Sequence, residues 1–144
     1  MKIKLLILIV LVIGGGAIFA LNKKNNPEGK KSSKEETMMM SHASYKDYSP
    51  ETVETEQKNG NKVVLFFHAP WCPFCRSANA AFESRQSDIP AGITVLKTDY
   101  DSNSELKKKY GVTYQHTFVQ IDLEGNQVTK WSGGDIENLI KYVK

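Results

Sequence analysis

Apolar and polar positions fall into three blocks along this chain. Residues 5–21 are uncharged and almost wholly apolar, with Lys2 and Lys4 before them and Lys23 and Lys24 after. At about 1.5 Å of rise per residue, a helix over these positions reaches roughly 25 Å, just short of a hydrocarbon core. Residues 1–21 therefore read as an uncleaved signal anchor or as a cleaved signal peptide. The anchor is the preferred reading, because Ile18-Phe19-Ala20 puts a bulky residue inside the small-residue pattern that cleavage requires. Both readings carry the rest of the chain out of the cytoplasm, although lysines at both ends leave the positive-inside signal weak. Residues 22–44 are polar and Lys-rich without an apolar period, which is the composition of a flexible linker. Met38-Met39-Met40 interrupts it, as a small hydrophobic contact or a thioether cluster, and His42 is expected to face solvent.

The third block, residues 45–144, carries the periodicities of a folded domain. Ser49-Pro50-Glu51 has a capping hydroxyl, a proline for the first helical position and an acid in the first turn, so a helix starts there and ends near Asn59-Gly60. The run Lys62 to His68, with five consecutive apolar residues, predicts a central strand buried on both faces. Pro73 to about Ser84 reads as a helix with Ala78, Ala81 and Phe82 on one face. Ile93 to Lys97 is a short strand, and Ser102 to Tyr110 a Lys-rich helix that stops at Gly111. Thr117–Asp122 and Gln127–Trp131 flank Glu124-Gly125-Asn126 as a hairpin, and Asp135 caps a last helix over Ile136–Val143. Strands alternating with helices and then a hairpin imply an α/β domain with a mixed central sheet flanked by helices.

Charge changes the picture little. The formal net charge is +3, but residues 1–44 hold seven Lys/Arg against three Asp/Glu, and residues 45–144 hold twelve against thirteen. The domain is near neutral, which excludes the basic face of a nucleic-acid binder. Cysteine usage is more informative. The chain has two cysteines, Cys72 and Cys75, and a bridge between them closes too short a loop to act as a structural staple. That leaves redox chemistry or metal binding.

The placement favours redox chemistry. A buried strand leads through Ala69-Pro70-Trp71 into a helix whose start carries Cys72. There the helix dipole and free backbone N–H groups stabilise a thiolate. Cys75 lies one turn on, in reach of a mixed disulfide formed by Cys72. Cys72 is thus the expected nucleophile and Cys75 the resolving thiol, with Trp71 and Pro70 offering an apolar surface to substrate. A zinc site built on this motif needs a second such pair or a histidine pair at fixed spacing, and neither is present.

The run Phe66-Phe67-His68-Ala69-Pro70-Trp71-Cys72-Pro73-Phe74-Cys75 resembles the active site of thioredoxins and of protein disulfide isomerase domains. It is close to the isomerase pattern Phe-Tyr-Ala-Pro-Trp-Cys, with His68 in place of Tyr. The resemblance to the thioredoxin superfamily covers residues 45–144. Tyr110-Gly111-Val112 matches the segment before the loop that faces the cysteines, and Gly133-Gly134 the turn before the last helix. It implies a thioredoxin-like fold and a thiol–disulfide oxidoreductase whose only cofactor is its own Cys72–Cys75 disulfide. Its expected partners are protein thiols and disulfides and a redox partner protein. It also implies a lysine, Lys97, on a strand near the buried thiol, with Asp99 or Asp101 ending that strand. Gln115 and His116 fall in the substrate-docking loop. Pro73 and Phe74, between the cysteines, tune the reduction potential.

Two positions depart from the family. Where relatives carry a buried acid six residues before the first cysteine, this chain has Phe66, so proton transfer at the second thiol must differ or use water. Where relatives have a cis-proline, this chain has His116, whose preceding peptide is expected to be trans and whose imidazole is expected to face Cys72. Lacking that proline, Cys72, Cys75 and His116 offer an alternative reading as ligands of a metal or iron–sulfur cluster. The leading expectation is a single-pass, membrane-tethered oxidoreductase with its domain on the extracytoplasmic side, or a secreted one if the segment is cleaved.

Overall fold

A computed structural model describes residues 44–144. The apolar segment 5–21 and linker residues 22–43, with Met38–Met40 and His42, lie outside the described residues. Among the described residues no helix is long and apolar enough to cross a membrane.

The elements in chain order are β1 (Tyr45–Asp47), α1 (Pro50–Lys58), β2 (Lys62–His68), α2 (Pro73–Ser84), β3 (Ile93–Asp99), α3 (Ser104–Lys109), β4 (Thr117–Ile121), β5 (Gln127–Ser132) and α4 (Ile136–Tyr142). A turn of 3₁₀ helix at Gln86–Asp88 links α2 to β3. The five strands form one sheet in the order β1-β3-β2-β4-β5. β1, β3 and β2 run parallel, and β4 and β5 are antiparallel, so the sheet is mixed as the element order implies.

β2 is central, and its side chains alternate between two cores. Val64 and Phe66 point into a cluster with Cys72, Cys75, Phe82, Phe118, Trp131 and Leu139, on the side of α2 and α4. Val63, Leu65 and Phe67 point into a second cluster with Leu96, Val119 and Tyr110, against Val53 of α1 and Leu106 of α3. A strand covered on both faces has no polar side, which explains the unbroken apolar run.

β1 has no counterpart among the elements read from the sequence. Tyr-Lys-Asp carries no period, and the strand exists because its backbone pairs with Val95–Lys97 and its Lys46 reaches Glu56. Glu56 is buried, and its carboxylate accepts from Lys46 Nζ (2.7 Å), Asn61 Nδ2 (2.7 Å) and Thr94 Oγ1 (2.8 Å). Burial pushes this carboxyl up, but those hydrogen bonds and the Lys46 charge outweigh it and hold it below its ordinary 4.5. A carboxyl depressed in the fold stabilises above its unfolded pKa, and that contribution is lost as pH falls through the depressed value. Glu56→Gln should therefore be less stable than wild type at pH 7, by about 1–3 kcal/mol. The gap should close in acid, as read from urea unfolding on either side of pH 4.5.

Candidate active site

Cys72 is the N-cap of α2. Its backbone is extended (φ −85°, ψ 119°), and its sulfur accepts the Cys75 N–H at 3.3 Å. Pro73 occupies the first helical position, where a missing N–H removes no bond. The approach is fixed by a turn in which Cys72 N–H donates to the Ala69 carbonyl at 3.1 Å. Both thiols are unbridged and buried, Cys72 at 3% and Cys75 at 0% exposure.

Their environments separate them. Burial raises the Cys72 thiol, but hydrogen bonds from the backbone and thiol of Cys75, the Gln115 side chain and the Phe74 backbone more than reverse this, and the net shift is downward. For Cys75, burial dominates and the neighbouring Cys72 adds to it; backbone contacts from Ala69 and His116 oppose without prevailing, and the thiol rises to about 11. At neutral pH, thiolate forms on Cys72 far more readily than on Cys75.

Trp71 and Phe74 flank Cys72 in sequence, and Tyr114 precedes Gln115; all three side chains are exposed. Trp71 is 57% exposed with its Nε1–H held by Asp101 Oδ2 at 2.9 Å, Phe74 is 74% exposed, and Tyr114 is 71% exposed. The Arg76 guanidinium donates to the Pro70 carbonyl at 3.2 Å. Tyr114 carried no signal in the sequence that separates it from any loop tyrosine.

His116 keeps its loop position against the dithiol, but through its backbone. Its N–H donates to the Phe67 carbonyl and its carbonyl accepts from Gly133, both at 2.8 Å. No cis peptide occurs among the described residues, and His116 sits at φ 59°, a left-handed conformation uncommon outside glycine. The imidazole has partners of its own. Its Nε2 bonds the Gly134 carbonyl at 2.8 Å, and the ring packs 5.8 Å from both Phe66 and Phe118. Gln115, which the family resemblance placed in substrate docking, is among the groups that lower the Cys72 thiol.

Lys97 lies across the sheet from Phe66, and its ammonium is 3.1 Å from Asp47 of β1, at the sheet edge. Asp99 ends β3 and its carboxylate accepts from the Ser102 backbone at 2.7 Å. Among the described residues, no three His, Cys, Asp or Glu side chains converge on a possible metal site. The His116 Nε2 is bonded to the Gly134 carbonyl.

One titration tells Gln115 from His116 as the group that acts on Cys72. Gln115→Ala should raise the Cys72 pKa, whereas His116→Ala should leave it nearly unchanged. Thiolate absorbance against pH reads both, and a larger rise for the histidine variant would return the role to the imidazole.

Comparison with known proteins fits this geometry. Residues 44–144 match the family profile described as thioredoxin. Thioredoxin H4 of Arabidopsis thaliana is 34% identical over 96 residues, covering 65% of this chain and 80% of that protein. Protein disulfide isomerase-like 1-2 of Oryza sativa subsp. japonica is 28% identical over 89 residues, covering 57% of this chain but only 17% of the isomerase. Among solved structures, the thioredoxin of Fasciola hepatica superposes with a TM-score of 0.52 at 33% identity, over 62% of this chain and 86% of that one.

Proposed function

The chain belongs to the thioredoxin family, and on that premise we propose that it is a thiol–disulfide oxidoreductase acting on protein substrates through Cys72 and Cys75. The observation that carries this reading is the split between two adjacent thiols, one lowered and capping a helix, the other buried and raised to about 11. The Cys72 thiolate attacks one sulfur of a substrate disulfide, and the other substrate sulfur leaves as a thiolate that takes up a proton. Cys75 then loses its proton and attacks Cys72, releasing the second substrate thiolate. The substrate gains two electrons and the protein ends as the Cys72–Cys75 disulfide. The sulfurs supply all the redox chemistry, so no bound metal or organic cofactor takes part. A partner protein of the same dithiol chemistry resets the site.

Trp71, Phe74, Tyr114 and Pro70 form the docking surface for an extended, apolar stretch of substrate. Their exposure, and the place of Pro70, Trp71 and Phe74 next to Cys72 in sequence, support this. The direct test is catalysed reduction of insulin by dithiothreitol. Wild type should accelerate it, and Cys72→Ser should run at the uncatalysed rate; equal rates would sink the reading.

The domain is exported and tethered to the membrane by residues 5–21, with residues 22–44 as the linker between them. The uncharged run, its flanking lysines and its poor cleavage triplet support this. Alkaline extraction of membranes should leave the protein in the pellet. A mature N-terminus near Leu21 or Asn22 would instead mean a secreted protein.

A further inference from the structure

The loop between α3 and β4 is pinned at both ends. At its start, the Val112 N–H donates to the Lys107 carbonyl at 2.8 Å. At its end, the His116 N–H donates to the Phe67 carbonyl, the His116 carbonyl accepts from Gly133, and the Thr117 hydroxyl donates to the Tyr114 carbonyl at 2.8 Å. Thr113 and Tyr114 lie between these ends, and both are exposed. Such a stretch belongs to the mobile parts of a fold unless a side chain from another element holds it.

Tyr100 supplies that hold. Its hydroxyl donates to the Thr113 carbonyl at 3.0 Å. Tyr100 is the first residue after β3, and its own N–H donates to the carbonyl of His68, the last residue of β2, at 2.8 Å. Its ring is half-buried and packs against both hydrophobic clusters of the domain. The Lys107 ammonium stands 4.1 Å from the ring centroid, within cation–π range. The phenol is therefore fixed by its own neighbours, and little side-chain freedom remains to be lost in holding the loop.

The residue after Tyr100 holds a second segment. Asp101 Oδ2 accepts from the Trp71 Nε1–H at 2.9 Å. Two consecutive side chains of one turn thus anchor the two segments that carry the exposed rings of Tyr114 and Trp71.

Resting on the oxidoreductase reading above, we propose that Tyr100 is a positioning residue for substrate docking: its hydroxyl, through the Thr113 carbonyl, fixes the place of Tyr114 relative to Trp71. The substrate that profits is an extended peptide stretch long enough to touch both rings. It meets a surface already ordered, so less freedom is lost on binding. A small disulfide that engages Cys72 alone gains nothing from this. Gln115 adjoins His116, whose backbone is bonded on both sides, so its effect on Cys72 does not depend on the Tyr100 hydroxyl.

Tyr100→Phe removes the hydroxyl and keeps the ring, with its packing and its contact with Lys107. Steady-state reduction of insulin, with dithiothreitol as the reductant, gives KM and kcat. A small symmetrical aryl disulfide, read from its coloured thiolate, reports attack by Cys72 without docking. In the variant, KM for insulin should rise roughly 2–10-fold, the effect of one neutral hydrogen bond, with kcat and the aryl disulfide rate near wild type. The retained aryl disulfide rate also shows that the site has folded. A core tyrosine with no part in docking would leave the KM for insulin unchanged, and that result would overturn the proposal. Equal losses with both disulfides would overturn it too, because Tyr100 would then act on the dithiol itself. Either result leaves the oxidoreductase reading intact. A wild type that reduces neither disulfide would overturn that reading and the proposal with it.

Discussion

Cys75→Ser is expected to convert the protein into a trap that stays covalently joined to its substrates. The Cys72 sulfur keeps its place at the start of α2 and its bond from the residue 75 backbone N–H, so attack proceeds. Serine has no sulfur to displace the substrate, and the mixed disulfide persists until an external thiol removes it. Turnover should fall to background while one substrate sulfur is captured per protein. Cys72→Ser should fail at the earlier step. The remaining thiol is fully enclosed and raised to about 11, so it neither meets a protein disulfide nor ionises near neutrality. Non-reducing electrophoresis after incubation with a disulfide-bearing protein separates the two cases. A stable adduct in Cys72→Ser and none in Cys75→Ser would reverse the assigned roles. Alkylation of the reduced protein at mildly acidic pH should label Cys72 first for the same reasons.

The parts of the fold that were legible in the sequence are those whose pattern follows from burial. β2 and α2 run over Lys62–His68 and Pro73–Ser84, as the apolar run and the proline start imply. The strand read as Ile93–Lys97 continues to Asp99, because its register with β2 extends to the His68–Asp99 pair. Nothing apolar marks those last two residues. The third helix starts at Ser104 and not at Ser102, since Asp99 captures the Ser102 backbone N–H and holds that residue in a turn. β1 was illegible for a related reason: its stability comes from partners about fifty residues away in sequence.

The site divides in the same way. The order of the two cysteines follows from helix geometry alone, and both the strand exit and the cap are local. Which loop side chain reaches the nucleophile does not follow from local pattern. Gln115 and His116 are adjacent; His116 takes a left-handed backbone with its imidazole on the Gly134 carbonyl, while Gln115 is the one that lowers the Cys72 thiol. The bond from the Tyr100 hydroxyl to the Thr113 carbonyl is likewise visible only once the turn after β3 and this loop are packed together.

Phe66→Ala should be among the most destabilising single substitutions in the domain. The ring is fully enclosed at the centre of the sheet and stacks on Phe118 at 4.5 Å, nearly parallel at 6°; Phe118 in turn stacks on Trp131 at 5.2 Å. Phe66 also touches the rings of Phe82, His68 and His116, so its loss opens a cavity between the core and the dithiol. Such truncations lower stability by about 3–5 kcal/mol, a large share of the 5–15 kcal/mol typical of a domain. For a domain of about 100 residues that corresponds to a fall in Tm of roughly 15–30 °C. Phe66→Asp removes the same ring and adds a carboxyl to an enclosed site. Burial should raise the pKa of that carboxyl above its unfolded value of about 3.9, so its extra penalty is absent in acid and grows as pH rises toward the folded value. The aspartate variant should therefore match the alanine variant near pH 3 and fall below it at pH 7. Lys97 is the cation across the strand from this position, at present held by Asp47. If the aspartate variant is instead more stable than alanine at pH 7, Lys97 has left Asp47 to pair with the new carboxylate. Adding Asp47→Ala separates the cases, because freeing the ammonium stabilises the aspartate variant only when Lys97 can reach it.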